Sequence, residues 1–457
     1  MRLSAWGLMV FVSAVVAFGV LVLWDCDNTA QEARAAQAPD DSACRGCHNS
    51  STPFIVDDFE SGDMGQSGVR CTDCHHAQAT DPDAISHNGY TITTKPSAKD
   101  CGACHSDEVT EFNSSKHYLG WTKMEQSARW LDIPGDIRSA MCDSCHNIGQ
   151  ISPDGSRGKC DSCHTRHSFS AEEARKPESC GTCHMGPDHP QIEAYLSSKH
   201  GVMYSLEGES WDWSDPASFT APVCTTCHMP GGTHNVGYGI SIGGTSAGAV
   251  IAGYPTPFPM NNITMSQFAE KRAEMLDVCS QCHSRSFAEE WLSTTDAVKN
   301  ETDMLVGEAR NIILNLYNDG LLDPMPAGRA PNPITGYNLT LMGHQTYSNT
   351  SGIETIFFQM YKYHGVTAWK GGYHFSPDHT HWYGWAEVNH DLDLIKAEDA
   401  ELRARADLQD RLAEIDTDGD DSSIPMIIGT AALALALIAL LLSVVGLRRM
   451  KTGPPKT

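Results

Sequence analysis

Eight copies of Cys-x-x-Cys-His lie between residues 44 and 283, no stretch alternates apolar and polar residues over any length, and an apolar run stands near the C-terminus. The repeated pattern is that of c-type haem attachment, with two thioether bonds to the haem vinyls and a histidine on the iron. Together these observations predict a mainly α fold of multihaem cytochrome c type. Short helices and loops are expected to wrap around eight haems, followed by long C-terminal helices and one transmembrane helix.

The motifs are Cys44/Cys47/His48, Cys71/Cys74/His75, Cys101/Cys104/His105, Cys142/Cys145/His146, Cys160/Cys163/His164, Cys180/Cys183/His184, Cys224/Cys227/His228 and Cys279/Cys282/His283. They use 16 of the 17 cysteines and leave only Cys26. Structural zinc would not require a histidine directly after every second cysteine, and disulfides would not require a fixed spacing. The expected cofactors are therefore eight covalently bound c-type haems, with the eight motif histidines as proximal ligands. The formal charge of −25 excludes nucleic acid as a natural partner, because phosphate binding needs a basic face. It leaves room for a small cationic redox protein steered by charge.

The chain divides by composition. Residues 1–38 read as a signal peptide or N-terminal anchor, with an apolar run from Ala5 to Trp24 and small residues at Ala35, Ala36 and Ala38. Residues 39–299 form the expected octahaem domain. Such a segment builds no ordinary apolar core, and the haems themselves take that place. Thr233 to Asn262, rich in Gly, Pro and Thr, reads as a long loop. Residues 300–415 form an expected helical domain, with helices over Glu301–Tyr317, Gly352–Tyr363 and Trp385–Ile415. In the third, Leu392, Ile395, Leu402, Leu408 and Leu412 recur at roughly heptad-like steps, which suits either packing within the domain or a subunit interface. An acidic linker, 416–423, leads to an expected transmembrane helix over 424–447 and a basic tail, 448–457. Arg448, Arg449 and Lys451 place that tail in the cytoplasm and the rest of the chain outside. Haem attachment, which takes place outside the cytoplasm in bacteria, fits a periplasmic or outward-facing location.

A six-coordinate haem needs one histidine beyond its motif, and thirteen remain. The quartet Ser-Ser-Lys-His occurs at Ser114–His117 and again at Ser197–His200, each shortly after a motif. This makes His117 and His200 candidate distal ligands, with His87, His167, His234, His379 and His381 as further candidates. Pro190 and Gly201 suggest one helix between them, which would separate His189 from His200 by about 15 Å and exclude a shared iron. Asp188 and His189, adjacent at that helix start, suit a proton relay or, equally, a helix cap beside a structural histidine.

The stretch Gly-Pro-Asp-His-Pro-Gln-Ile-Glu-Ala-Tyr, followed by Ser-Lys-His-Gly, resembles the hydroxylamine oxidoreductase family of octahaem cytochromes. The resemblance covers about residues 44–415, and Cys180 to Gly201 is its most specific part. No Cys-x-x-Cys-Lys motif is present, unlike the lysine-ligated branch of nitrite-reducing cytochromes. The resemblance implies a catalytic fourth haem, at Cys142/Cys145/His146, open on its distal side and facing Asp188 and His189. It also implies a distal tyrosine, for which Tyr238 and Tyr254 are candidates, and a homotrimer with the C-terminal helices at its interface. Members that oxidise hydroxylamine or hydrazine carry a tyrosine crosslinked to the catalytic haem of a neighbouring subunit. Alignment on Gly384-Trp385 puts His379 and His381 at that position, with Tyr373 and Tyr383 close by.

These readings point to a multihaem oxidoreductase of small inorganic nitrogen compounds. The lean is towards reducing nitrite or hydroxylamine to ammonium. The alternatives are oxidation of hydroxylamine, with electrons passed to the quinone pool, and a non-catalytic electron conduit with eight bis-histidine haems. The expected redox partner is a cytochrome or a membrane quinol or quinone dehydrogenase cytochrome.

Overall fold

The computed structural model describes residues 41–125, 130, 133–242, 265–322 and 351–417. Helices dominate. In chain order the main ones are α1 (Asp41–Ser51), α2 (Pro53–Ser61), α3 (Ser106–Asn113), α4 (Gly135–His146), α5 (Gln191–Leu196), α6 (Lys199–Glu207), α7 (Met265–Cys279), α8 (Arg285–Asn318), α9 (Gly352–Gln359), α10 (Gly365–Tyr373) and α11 (Ala386–Thr417). Several attachment motifs occupy a single helical turn, such as Cys71–His75 and Cys224–His228. The reason is geometric: residues i, i+3 and i+4 share one helix face, so a turn presents both thiols and the imidazole on the same side.

The described strands form one small hairpin, β1 (Ile85–His87) with β2 (Tyr90–Ile92). It turns through Asn88 and Gly89, both at positive φ (49° and 87°). An Asn-Gly pair at positive φ gives the primed turn that matches strand twist, and here it presents His87 at the strand end.

Buried apolar side chains concentrate in the C-terminal helices, among them Ile353, Phe357, Met360, Val366, Ala368, Trp369 and Val388. Within the motif-bearing segment the apolar clusters are small. One gathers Trp211, Trp213, Ala221 and Val223 with Tyr204 and Phe219. α9 and α10 are joined by a π-helical turn, Met360–His364, and a second π turn, His381–Trp385, leads into α11. Gly384 in that second turn lies against α10. A Cβ there would come within 2.4 Å of Ala368 Cα, so only glycine permits the approach.

The chain forms two compact units. The first comprises residues 1–311 and 325–395 and contains every attachment motif. The second comprises 312–324 and 396–457; in its described part, Arg403 bridges Asp319 (2.7 Å) and Asp399 (2.9 Å).

Three expectations about the fold are corrected. Among the described residues no helix is long and apolar enough to cross a membrane, so the membrane-spanning part of the expected fold class falls. The long α11 carries charge along its length, and the segment 424–447 lies outside the described residues. The expected domain boundary at 299/300 falls inside α8, a continuous helix of 34 residues. The single helix expected from Pro190 to His200 is two helices. Ser198 breaks it, accepting the Gly201 amide (3.1 Å) as the N-cap of α6.

Candidate functional site: a cofactor array and a distal pocket

A connected cavity of ≈ 2530 Å³ runs through the motif-bearing unit. That is several times the roughly 300–1,000 Å³ of an ordinary ligand pocket. At least one cysteine from each of the eight motifs lines it.

Cys47 of the first motif and Cys282 of the eighth do not line the cavity, and both are exposed. Their motif partners Cys44 and Cys279 do line it.

Histidine rings face each other across this space at one recurring distance. His48 stands 6.1 Å from His87, His75 6.4 Å from His167, and His164 6.3 Å from His234, centre to centre. His184 stands 6.1 Å from His117, His228 6.4 Å from His374, and His283 6.1 Å from His200. Two imidazoles bound to opposite sides of one metal ion, each bond about 2.0 Å long, put ring centres about 6 Å apart. In each of these pairs a motif histidine meets a histidine from outside the motifs. Thiols, cavity and paired imidazoles fit covalently held haem.

The protonation of these rings agrees. Burial, with His117 as the next contributor, pushes His184 down to about 3. Burial and His374 push His228 down to about 4. Both rings are therefore neutral, as metal ligation requires. Some ligands are also oriented from behind: the Nδ1 of His75 bonds the Thr93 carbonyl (2.8 Å), and that of His374 bonds the Lys370 carbonyl (2.7 Å).

Of the seven distal candidates, His87, His117, His167, His200 and His234 stand opposite motif histidines. His379 and His381 are elsewhere. The His379 Nδ1 bonds Ser197 and Ser376 (both 3.1 Å), and His381 stacks on Trp385. His374 stands opposite His228, a pairing that sequence reasoning missed, since nothing local marks it out. His105 of the third motif has no imidazole facing it at this spacing among the described residues; its Nδ1 lies 3.9 Å from Glu108.

The fourth motif closes α4. Its His146 faces His189, ring centres 6.4 Å apart and planes at 69°. His189 differs from the other distal rings. Among the described residues it alone of them holds a carboxylate at hydrogen-bond distance, Asp188 Oδ1 at 2.8 Å from its Nδ1. A turn positions the pair, with Gly186 at φ 86° and the His189 amide donating to the Gly186 carbonyl (3.2 Å). The Gly186 amide in turn donates to Glu193 (2.8 Å).

Two lysines complete the pocket. Lys362, on the π turn, places Nζ 3.1 Å from Asp188 Oδ2. Lys370, on α10, donates from Nζ to the Asp188 carbonyl (2.9 Å). Gln191, oriented to suit its neighbours, accepts from Lys370 Nζ (3.1 Å) and donates to the His189 carbonyl (2.6 Å). Burial opposes charge on Asp188, but the His189 hydrogen bond and Lys362 prevail and hold its carboxyl well below the usual range. Burial and Lys362 bring Lys370 down to about 7, against the opposing pull of Asp188. Both lysines lie more than 170 residues from Asp188 in the chain, and no motif announced them. Of the tyrosine candidates, Tyr373 donates to Asp296 (2.5 Å), Tyr383 is exposed, Tyr238 sits in the turn begun by Asn235, and Tyr254 lies outside the described residues.

Comparison with known proteins agrees with this geometry. A family model described as "Seven times multi-haem cytochrome CxxCH" matches residues 67–330, which hold seven of the motifs; Cys44/Cys47/His48 precedes them. A probable nitrite reductase-hydroxylamine oxidoreductase fusion protein of Kuenenia stuttgartiensis is 28% identical over 403 residues, covering 74% of this chain and 45% of that protein. The chain thus spans less than half the length of that relative. A chain of the Kuenenia stuttgartiensis reducing HAO-like protein complex superposes with a TM-score of 0.64 at 26% identity, covering 84% of this chain and 88% of that one. A hypothetical multiheme protein shares the fold, with a TM-score of 0.66 at 21% identity over 82% of this chain and 98% of that one. The attachment motifs, the facing imidazoles and these likenesses agree: the chain belongs to the multihaem CxxCH cytochromes, redox proteins with covalently bound c-type haem, and resembles their hydroxylamine-oxidoreductase-like members.

Proposed function

We propose that the chain is an octahaem oxidoreductase of small inorganic nitrogen compounds. It reduces nitrite or hydroxylamine to ammonium at the fourth motif, Cys142/Cys145/His146. The observation that carries this reading is the Asp188–His189 pair standing across from His146, fixed by Lys362 and Lys370. When bound, the haem at this motif supplies an iron that takes the substrate nitrogen, and the other haems supply electrons.

The residues of the chain supply the protons. Reduction of nitrite to ammonium takes up six electrons and eight protons per nitrite, so proton delivery must keep pace with electron transfer. Asp188 accepts from His189 Nδ1–H, which fixes the tautomer and leaves Nε2 to exchange protons with substrate. Lys362 keeps the Asp188 carboxylate ionised, so it holds the His189 ring in place as an acceptor. Lys370 and Gln191 hold the backbone of the pair in place.

The redox partner is another cytochrome, and the charge of −25 suits a basic docking face on it. A homotrimer belongs to the same reading. Leu408, Leu412 and Ile415 lie exposed on one face of α11, at i, i+4 and i+7.

One observation favours a second reading, a non-catalytic conduit. The His146–His189 spacing equals that of the other facing pairs, as bis-histidine ligation throughout would give. Turnover separates the two. With a reduced dye as donor, the enzyme converts nitrite and hydroxylamine to ammonium; a conduit consumes neither.

A further inference from the structure

Of the eight motifs only the second is followed directly by another histidine, His76. The chain leaves the motif turn there and pairs with β2. The Thr93 amide donates to the His75 carbonyl (2.9 Å), His76 bridges Ile92, and the Ala77 amide donates to the Thr91 carbonyl (3.2 Å). His76 is extended, with φ −66° and ψ 130°. Successive side chains of extended backbone leave on opposite sides, so His75 and His76 serve different irons. Both line the cofactor cavity. The motif that adjoins the second is the third. From Thr93 the chain runs to the Ser97 cap and straight into Cys101. The Cys74 thiol, pushed up to about 11 first by burial, also feels Cys101 and Cys104. His105 of that third motif lines the same cavity and faces no imidazole at the recurring spacing among the described residues. Five described histidines outside the motifs face no motif ring: His76, His364, His379, His381 and His390. Of these only His76 lines the cavity.

We infer that His76 is the distal ligand of the haem held by Cys101, Cys104 and His105. The small hairpin then serves three consecutive haems. β1 presents His87 to His48 of the first motif, Thr93 holds the Nδ1 of His75 in the second, and pairing with β2 turns His76 towards the third. The assignment does not depend on where substrate binds.

The test is spin-state spectroscopy of the purified holoprotein, with haem counted per chain. His76→Gly is expected to convert one haem per chain from low-spin to high-spin. After reduction it should bind one more carbon monoxide per chain than wild type. Added imidazole should return that haem to low-spin. His76→Met keeps a ligand, so the spin count should hold. Thioether ligation in place of imidazole raises the potential, and redox titration should show one haem moved upward. This second variant gives an answer even where the glycine variant fails to mature. Spin states, carbon monoxide stoichiometry and potentials that match wild type in both variants overturn the assignment. So does a new high-spin signal in His76→Gly that changes when Asp188→Asn is added, because that signal would come from the fourth motif.

Discussion

In the proposed reaction, Asp188 is the residue on which the chemistry turns. It has three partners, and each does something different: His189 is oriented, Lys362 keeps the carboxylate ionised, and Lys370 anchors the backbone. Asp188→Asn keeps the shape and loses the charge. Turnover of nitrite should fall about 10²- to 10⁴-fold, the usual share of a general acid–base group, with haem content unchanged by haem staining. Lys370 permits a prediction with a definite sign. Its value of about 7 in the folded protein lies below the ordinary 10.5, so between these the unfolded chain holds a proton that the folded one has released. Folding stability should therefore rise with pH across that window. Thermal unfolding of wild type and Lys370→Met at several pH values checks it: the variant should lose that rise, and an identical slope would contradict it. At this scale the sequence was uneven. The cysteines and proximal histidines were legible because haem attachment imposes a fixed local pattern. That pattern is blind to surroundings, so it did not distinguish Cys47 and Cys282 from the cysteines that line the cavity. The Asp188–His189 pair was visible only as two adjacent residues. Lys362, Lys370 and His374 were not visible, since tertiary folding brings them to the site from the far end of the unit.

Elements set these residues in place. The π turn at 360–364 carries Lys362, and α10 carries Lys370 at Asp188 and leads directly into His374. Gly384 allows the second π turn to press against Ala368 of α10. Gly384→Ala puts a methyl group where backbone already stands, and overpacking of this kind costs about 1–3 kcal/mol. A lowered melting temperature for this variant is expected, and an unchanged one would show that α10 has room to move. Helical periodicity located helices near 301–317, 352–363 and 385–415, but not their extent, because α8 begins before its apolar stripe is established. The Asn88-Gly89 turn was a readable hairpin signal that strands of only three residues hid. The break at Ser198 was equally legible as a capping serine, and the Pro190–Gly201 pattern masked it.

The motif-bearing part of the first unit is organised around a space rather than around a large apolar core. The cavity of ≈ 2530 Å³ is bounded by cysteines of every motif and by the facing imidazoles, and its walls cannot close on themselves. Protein expressed without haem attachment should therefore fail to unfold cooperatively, as in domains whose fold depends on a bound metal group. Circular dichroism melts of the two forms check this, and a sharp transition in the haem-free chain would contradict it. This organisation was legible early, because eight motifs in one segment leave no room for another core. The membrane-spanning helix of the expected fold was read from hydropathy alone, and no described helix has that character. The central claim is that one haem among eight takes substrate beside Asp188. Electron paramagnetic resonance of the purified oxidised protein, with haem counted per chain, tests it most directly. Eight haems are expected, one of them high-spin, shifting on addition of nitrite and altered in Asp188→Asn. Eight low-spin haems indifferent to nitrite would contradict the claim.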